Sequence, residues 1–174
     1  MIKLFRCKIC GNPYIGEEKP SRCPFCGAKE NFMVEAKDYK ETFDVELNEK
    51  DRANAEKALE LEISNTIFYF CAAEKTDNEE GKQLFKALGK VEAEHASIWR
   101  KILKLPKEDM GKSDECAVSN QDNLKESHDR EEKAIEFYSK AAVDSENTRV
   151  KQIFAALTLV EKDHLQLSGE RIKS

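Results

Sequence analysis

Apolar residues recur every three or four positions through most of the chain beyond residue 48. Phe85, Leu88, Val91 and His95 keep this spacing, as do Ile153, Phe154, Leu157, Val160 and His164, which is the mark of helices with one buried face. Polar punctuation sets their limits. Asn48, with Asp51 three residues on, starts a long helix reaching about Thr76. Asp77 and Asn78 turn into a second helix that stops before Pro106. A third runs from about Asn120 to Val143 and a fourth from about Asn147 to Ile172, with a short turn at Asp144 to Glu146. Residues 105 to 119 carry Pro, Gly and scattered charge without a period, so they read as a long connection. The first 26 residues differ, because Pro13, Pro20 and Pro24 crowd them and Pro106 is the only other proline. The polar stretch Glu35 to Glu46, with a few hydrophobes such as Phe43 and Val45, reads as a linker or docking segment. The predicted division is a small module over 1–36, a linker over 37–47 and a helical bundle over 48–174.

The bundle is a doubled hairpin. Shifting the sequence by 69 residues superimposes Glu62 to His95 on Glu131 to His164, with identities at fourteen of thirty-four positions, where chance would give about two. QLFKALGKVEAEH and QIFAALTLVEKDH are one segment twice, and EISNTIFYFCAA and EEKAIEFYSKAA are another. If a two-fold axis relates the halves, residues 105 to 119 must run the length of the bundle. Fifteen extended residues span roughly 50 Å, and a 26-residue helix is roughly 39 Å long, so the connection reaches.

The repeat preserves a particular set of side chains. Glu92 and His95 are three apart, as are Glu161 and His164, and on a helix such pairs project from nearly one face. Glu62 and Glu131 lie one on each partner helix. Tyr69 and Tyr138 follow them by seven residues, two turns on and about 20° round, so each tyrosine can hydrogen-bond a carboxylate. Four carboxylates on core stripes would repel one another and carry a desolvation cost, unless they take up protons or bind cations. Two divalent ions would neutralise them, with two neutral imidazoles completing the donor set. One Glu from each of two helices and Glu-x-x-His from each of the other two is the ligand pattern of ferritin-like di-metal bundles.

Two knuckles, Cys7-Lys8-Ile9-Cys10-Gly11 and Cys23-Pro24-Phe25-Cys26-Gly27, lie twelve residues apart. Paired knuckles set four thiolates tetrahedrally around one ion, and the Gly after each pair lets backbone N–H groups turn toward the sulfurs. Iron and zinc both fit and spacing alone does not choose between them, while for an isolated domain of this sort zinc is favoured.

Composition narrows the function. With 34 acidic and 29 basic side chains the net charge is −5, so no basic face is available to neutralise a phosphate backbone, and nucleic acid is not an expected partner. Met1 to Arg6 is too short and too charged for a signal peptide, and no apolar run approaches a membrane span, so a cytoplasmic protein is expected. In a reducing compartment the paired cysteines favour metal over disulfides. Cys116 is then expected to be a free thiol, and Cys71, half a turn away from the metal face, a packing residue. His128 reads as a partly exposed residue in the first turns of the third helix. Trp99 reads as packing at a helix or subunit contact. No phosphate-binding loop is present, so reducing equivalents must come from another protein.

The CPFCGA knuckle module resembles the rubredoxin-like domain of rubrerythrins, and ELEISNTIFYF, VEAEH, REEKAIEFY and VEKDH resemble their four ligand helices. The resemblance covers nearly the whole chain. It implies a mainly α, ferritin-like four-helix bundle, iron at Cys7, Cys10, Cys23 and Cys26, and electron flow from there to a di-iron centre. It also implies reduction of hydrogen peroxide to water, with an external redox protein as donor. Terminal carboxylates Glu62 and Glu131, bridging carboxylates Glu92 and Glu161, and nitrogen ligands His95 and His164 follow, with Tyr69 and Tyr138 as donors to the carboxylates. A homodimer is the expected assembly. Iron handling as a ferroxidase, dioxygen reduction, and a non-catalytic zinc-ribbon module on a bundle are the alternatives. Two departures stand out: the best-known members carry the module at the C-terminus, and they carry a further Glu one turn after the third-helix ligand, where this sequence has Ala134.

Overall fold

The computed structural model describes residues 1–113 and 115–173. Strands β1 (Lys3–Cys7), β2 (Pro13–Gly16) and β3 (Met33–Glu35) form an antiparallel sheet in the order β2-β1-β3, with Leu4 opposite Ile15 and Arg6 opposite Val34. These three strands are five, four and three residues long. Such a sheet has too little apolar surface to stand alone, and the four buried cysteines gathered at the end of β1 offer the ligands for a metal cross-link.

Among the described residues four α-helices follow: α1 (Glu49–Lys75), α2 (Glu79–Leu103), α3 (Asn120–Asp144) and α4 (Thr148–Gly169). Each starts on a side-chain cap. Asn48 accepts from the Asp51 amide, Asn78 from that of Gly81, Ser119 from that of Asp122, and Asn147 from those of Arg149 and Val150. These caps satisfy amides that the first helical turn leaves without partners. Lys104, in a left-handed conformation at φ 57°, ends α2 two residues before Pro106.

Among the described residues, most buried apolar side chains fall in two clusters. One joins Phe5, Ile9 and Met33 of the module to Phe43 of the linker and to Leu59, Trp99, Ile102, Tyr138, Ile153 and Phe154 of the bundle. The other, at the far end, contains Phe68, Tyr69, Phe85, Leu88 and Leu124. Helix α1 therefore runs away from the module, α2 and α3 run toward it, and α4 runs away again. The connection between α2 and α3 packs Met110 against the first cluster and Cys116 against the second, so it traverses the bundle lengthwise. Asp77 N–H donates to Val118 O at 2.9 Å where the connection arrives at the far end. Among the described residues, no helix is long and apolar enough to cross a membrane.

The connection also carries a correction. Cys116 is not a free thiol, nor is Cys71 simply a packing residue: the two form a disulfide, with Cα atoms 6.0 Å apart. Cys71 does point away from the metal face, and the connection descends along that side of α1. Spacing could not reveal the pairing, because tertiary packing fixes where the connection runs.

Candidate metal centres

Glu62, Glu92, His95, Glu131 and Glu161 are fully or almost fully buried between the two apolar clusters, and His164 is 8% exposed. Helix α1 supplies Glu62, α2 supplies Glu92 and His95, α3 supplies Glu131, and α4 supplies Glu161 and His164. Their donor atoms form two overlapping groups, Glu62 with Glu92, His95 and Glu161, and Glu131 with Glu92, Glu161 and His164. Glu92 and Glu161 belong to both.

Distances define the overlap. His95 Nδ1 lies 3.4 Å from Glu62 Oε1, 3.1 Å from Glu92 Oε2 and 3.1 Å from Glu161 Oε1. His164 Nδ1 lies 2.9 Å from Glu92 Oε1, 3.0 Å from Glu161 Oε2 and 3.9 Å from Glu131 Oε1. Glu92 and Glu161 thus each turn one oxygen to either imidazole, which is how a carboxylate spans two metal ions. The rings of His95 and His164 stack with centroids 6.3 Å apart.

Tyrosines close the other side. Tyr69 of α1 donates to Glu131 Oε1 of α3, and Tyr138 of α3 donates to Glu62 Oε1 of α1. Ser127 Oγ lies 2.9 Å from the Tyr69 hydroxyl. Burial, together with Glu131 for Tyr69 and Glu62 for Tyr138, holds both phenols well above their ordinary range, so each keeps its proton to donate.

The cluster fits a pair of cations. Glu62 Oε2, Glu92 Oε1, Glu131 Oε2, both Glu161 oxygens and His164 Nδ1 are buried without a hydrogen-bond partner. Groups in that condition are costly unless something positive binds them. His95 Nε2 lies 3.0 Å from the backbone oxygen of Cys26. A carbonyl only accepts, so Nε2 carries the hydrogen, and in the neutral ring the Nδ1 lone pair faces three carboxylate oxygens. That arrangement is repulsive until a cation sits between.

The charges point the same way. Burial, reinforced by Glu92, pushes the Glu62 and Glu131 carboxyls well above the usual range. Burial would raise Glu92 too, but the facing His164 and His95 outweigh it and hold it low. Both imidazoles are held well above their ordinary range, burial being overcome by the carboxylates around them. Without metal, protons must take the place of the cations.

In the module, all four cysteines are buried and lie together. Cys7 Sγ and Cys26 Sγ are 3.8 Å apart, and Cys10 Sγ and Cys23 Sγ 3.7 Å. A tetrahedron with metal–sulfur bonds of about 2.3 Å has edges of about 3.8 Å, so the sulfurs already stand at ligand spacing. The Ile9 and Asn12 amides point at Cys7 Sγ and Cys10 Sγ, at 3.4 and 3.5 Å. Gly11 and Gly27 have φ of +83° and +72°. At Gly27 a side chain would also meet Val160 of α4, 2.7 Å away. The second knuckle is therefore pressed onto the bundle beside His95.

Several contacts seat the module. Asn12 Nδ2 donates to Glu94 Oε1 at 2.6 Å, and Arg22 pairs with Asp163 at 2.5 Å. Neither of these nor Ser127 was singled out from the sequence. Ser127 lies four residues before Glu131 on the same helical face, a signal that could have found it. His128 stays outside the cluster, partly exposed, with Nδ1 3.3 Å from Ser168 Oγ. Trp99 is fully buried, its ring 4.3 Å from that of Phe154.

Comparison with known families agrees with this geometry. Residues 54–168 match the rubrerythrin family model, well over half of the chain. The chain belongs to the rubrerythrin family. Residues 5–33 match a second model, the rubredoxin-like domain of rubrerythrins, so this rubrerythrin carries that domain ahead of the bundle. A similar protein is reverse rubrerythrin-1 of Clostridium acetobutylicum, 33% identical over 117 residues. The alignment covers 59% of this chain and 62% of that relative's length. No solved structure matches the chain. This rubrerythrin is a di-iron protein with a rubredoxin-like iron site, and both donor sets suit those cofactors.

Proposed function

We propose that this rubrerythrin reduces hydrogen peroxide to water, H2O2 + 2e− + 2H+ → 2H2O, with residues 48–174 as the reducing bundle and residues 1–36 as the electron-supplying module. A ferrous pair held in the bundle would supply the two electrons for cleaving the O–O bond, and iron held by Cys7, Cys10, Cys23 and Cys26 would pass in single electrons from an external redox protein. Glu62 and Glu131 would hold the pair as terminal carboxylates, Glu92 and Glu161 as bridging ones, and His95 and His164 as nitrogen ligands. Tyr69 and Tyr138 hold the terminal carboxylates in place through their hydroxyl hydrogens. The apolar clusters on either side exclude water from the reacting face.

The observation that carries this reading is the 3.0 Å contact between His95 Nε2 and Cys26 O. It links a ligand of the four-cysteine site to an imidazole of the carboxylate cluster within one chain, through one hydrogen bond. A bundle that only stored iron has no use for such a link. Stopped-flow mixing of the fully reduced protein with hydrogen peroxide, and separately with dioxygen, tests it. Oxidation should be at least tenfold faster with peroxide, and equal rates would remove the assignment of peroxide as substrate.

A further inference from the structure

Four consecutive backbone carbonyls of the first knuckle each accept a hydrogen bond from a cationic side chain. Arg149 Nη2 donates to Lys8 O at 2.6 Å and to Ile9 O at 3.1 Å. Lys101 Nζ donates to Cys10 O at 2.8 Å, and Arg6 Nε donates to Gly11 O at 2.7 Å. Arg149 is half-buried, and its other nitrogens are fixed as well, Nε on Thr42 O at 3.2 Å and Nη1 on Gln152 Oε1 at 2.8 Å. The Phe43 ring packs against its guanidinium with the centroid 5.2 Å away. Burial pushes this guanidinium down from its ordinary value, and the Cys7 and Cys10 sulfurs are among the groups that pull it back up.

The internal repeat shows that these cations are peculiar to the end where the module docks. At the 69-residue offset Arg149 corresponds to Glu80 and Lys101 to Glu170. Charge is thus reversed between the halves at both positions where a bundle cation touches the knuckle. Local helix energetics do not explain Arg149 either. A cation in a first turn opposes the helix dipole. Helices α1, α2 and α3 each carry an acid there, and α4 carries none.

Four thiolates around ferric iron carry a net charge of −1, and one added electron makes it −2. A fixed positive charge nearby stabilises the second state more than the first, and more strongly when it is shielded from water. We propose that Arg149, with Lys101 beside it, is a positioning residue that sets the reduction potential of the four-cysteine site, raising it by holding positive charge against the first knuckle. The module thereby becomes a ready one-electron acceptor when it is docked on the bundle. This inference rests on the iron assignment made above and is independent of peroxide as substrate.

The test is a spectroelectrochemical titration of the ferric-thiolate absorption in the full-length, iron-loaded protein, with dithionite as reductant. Arg149→Gln and Lys101→Gln should each lower the midpoint potential, and the double variant should lower it further. Arg149→Lys keeps the charge and should stay near the parent value. Arg171→Gln, which removes a cation from the Glu80 region, should leave the potential unmoved. If the neutral variants titrate at the parent potential, or Arg149→Lys falls as far as Arg149→Gln, the charge is not what matters and the proposal is overturned. Lys101→Gln decides alone should the Arg149 variants fail to fold. Absence of ferric-thiolate bands in the parent protein would overturn the iron assignment first, and this inference with it.

Discussion

Tyr69 of α1 reaches across the bundle to donate its phenolic hydrogen to Glu131 of α3, and the internal two-fold returns the same bond from Tyr138 to Glu62. Each terminal carboxylate is therefore aimed by the opposite half of the repeat. Removing one hydroxyl leaves a buried carboxylate oxygen without its donor. Tyr69→Phe and Tyr138→Phe should each weaken metal binding in the bundle by about 10- to 100-fold, measured by competition with a chelator. Unchanged affinity in both would show that the metals alone orient the carboxylates.

Gly27 tests the docking of the module. A left-handed conformation costs a non-glycine residue about 1–3 kcal/mol, and at this position Val160 blocks the space as well. Gly27→Ala should destabilise the module and separate Cys26 O from His95. Peroxide should then still oxidise the reduced bundle, while the four-cysteine iron follows more slowly relative to the bundle than in the parent. Rapid-mixing absorption at the ferric-thiolate band reads the second phase.

Metal removal should reverse the usual response to mild acid. In the metal-free fold Glu62 and Glu131 titrate well above the usual carboxylate range, and His95 and His164 well above the usual imidazole range. All four therefore bind more protons folded than unfolded between about pH 5 and 8, and such groups stabilise the fold as pH falls. Glu92 and Glu161, held low, act oppositely, but only as the pH falls through the carboxylate range. The melting temperature of chelated protein should rise from pH 8 to pH 5, while that of loaded protein should not. Parallel profiles for the two forms would contradict the reading of a proton-for-metal exchange.

The Cys71–Cys116 disulfide ties the connection to α1 across 45 residues of sequence. Closing a loop of that length constrains the unfolded chain by about 4 kcal/mol on the chain-entropy scale, an upper figure. Cys116→Ser should lower the denaturant midpoint without changing metal content. Two additional alkylatable thiols in the unfolded, unreduced parent would mean that the bond does not form.

What the sequence made legible was whatever helical periodicity carries. Two Glu-x-x-His pairs, each with a Glu and a Tyr at one register in the preceding helix, can point only to a common interior, and the structure brings those side chains together. The helix starts were readable because Asn48 and Asn147 are side-chain caps with local rules. The strands of the module were not, since three to five residues organised around a metal carry little pattern. Nor was the contact from Cys26 to His95, because a backbone carbonyl has no residue identity to betray it. Arg149 left a trace, its exchange for Glu80 across the repeat, which becomes meaningful only once the module's seat is known.

Phe5, Ile9 and Met33 share one apolar cluster with Trp99, Ile102 and Ile153. A domain anchored in that way does not wander on its linker in search of a partner surface. If the module supplies the bundle's electrons as proposed, the delay between them is set by the distance and bonding between two fixed points, so an insertion between the exposed Lys40 and Glu41, which leaves Thr42 and Phe43 in their contacts, should leave turnover untouched where a tethered shuttle would slow.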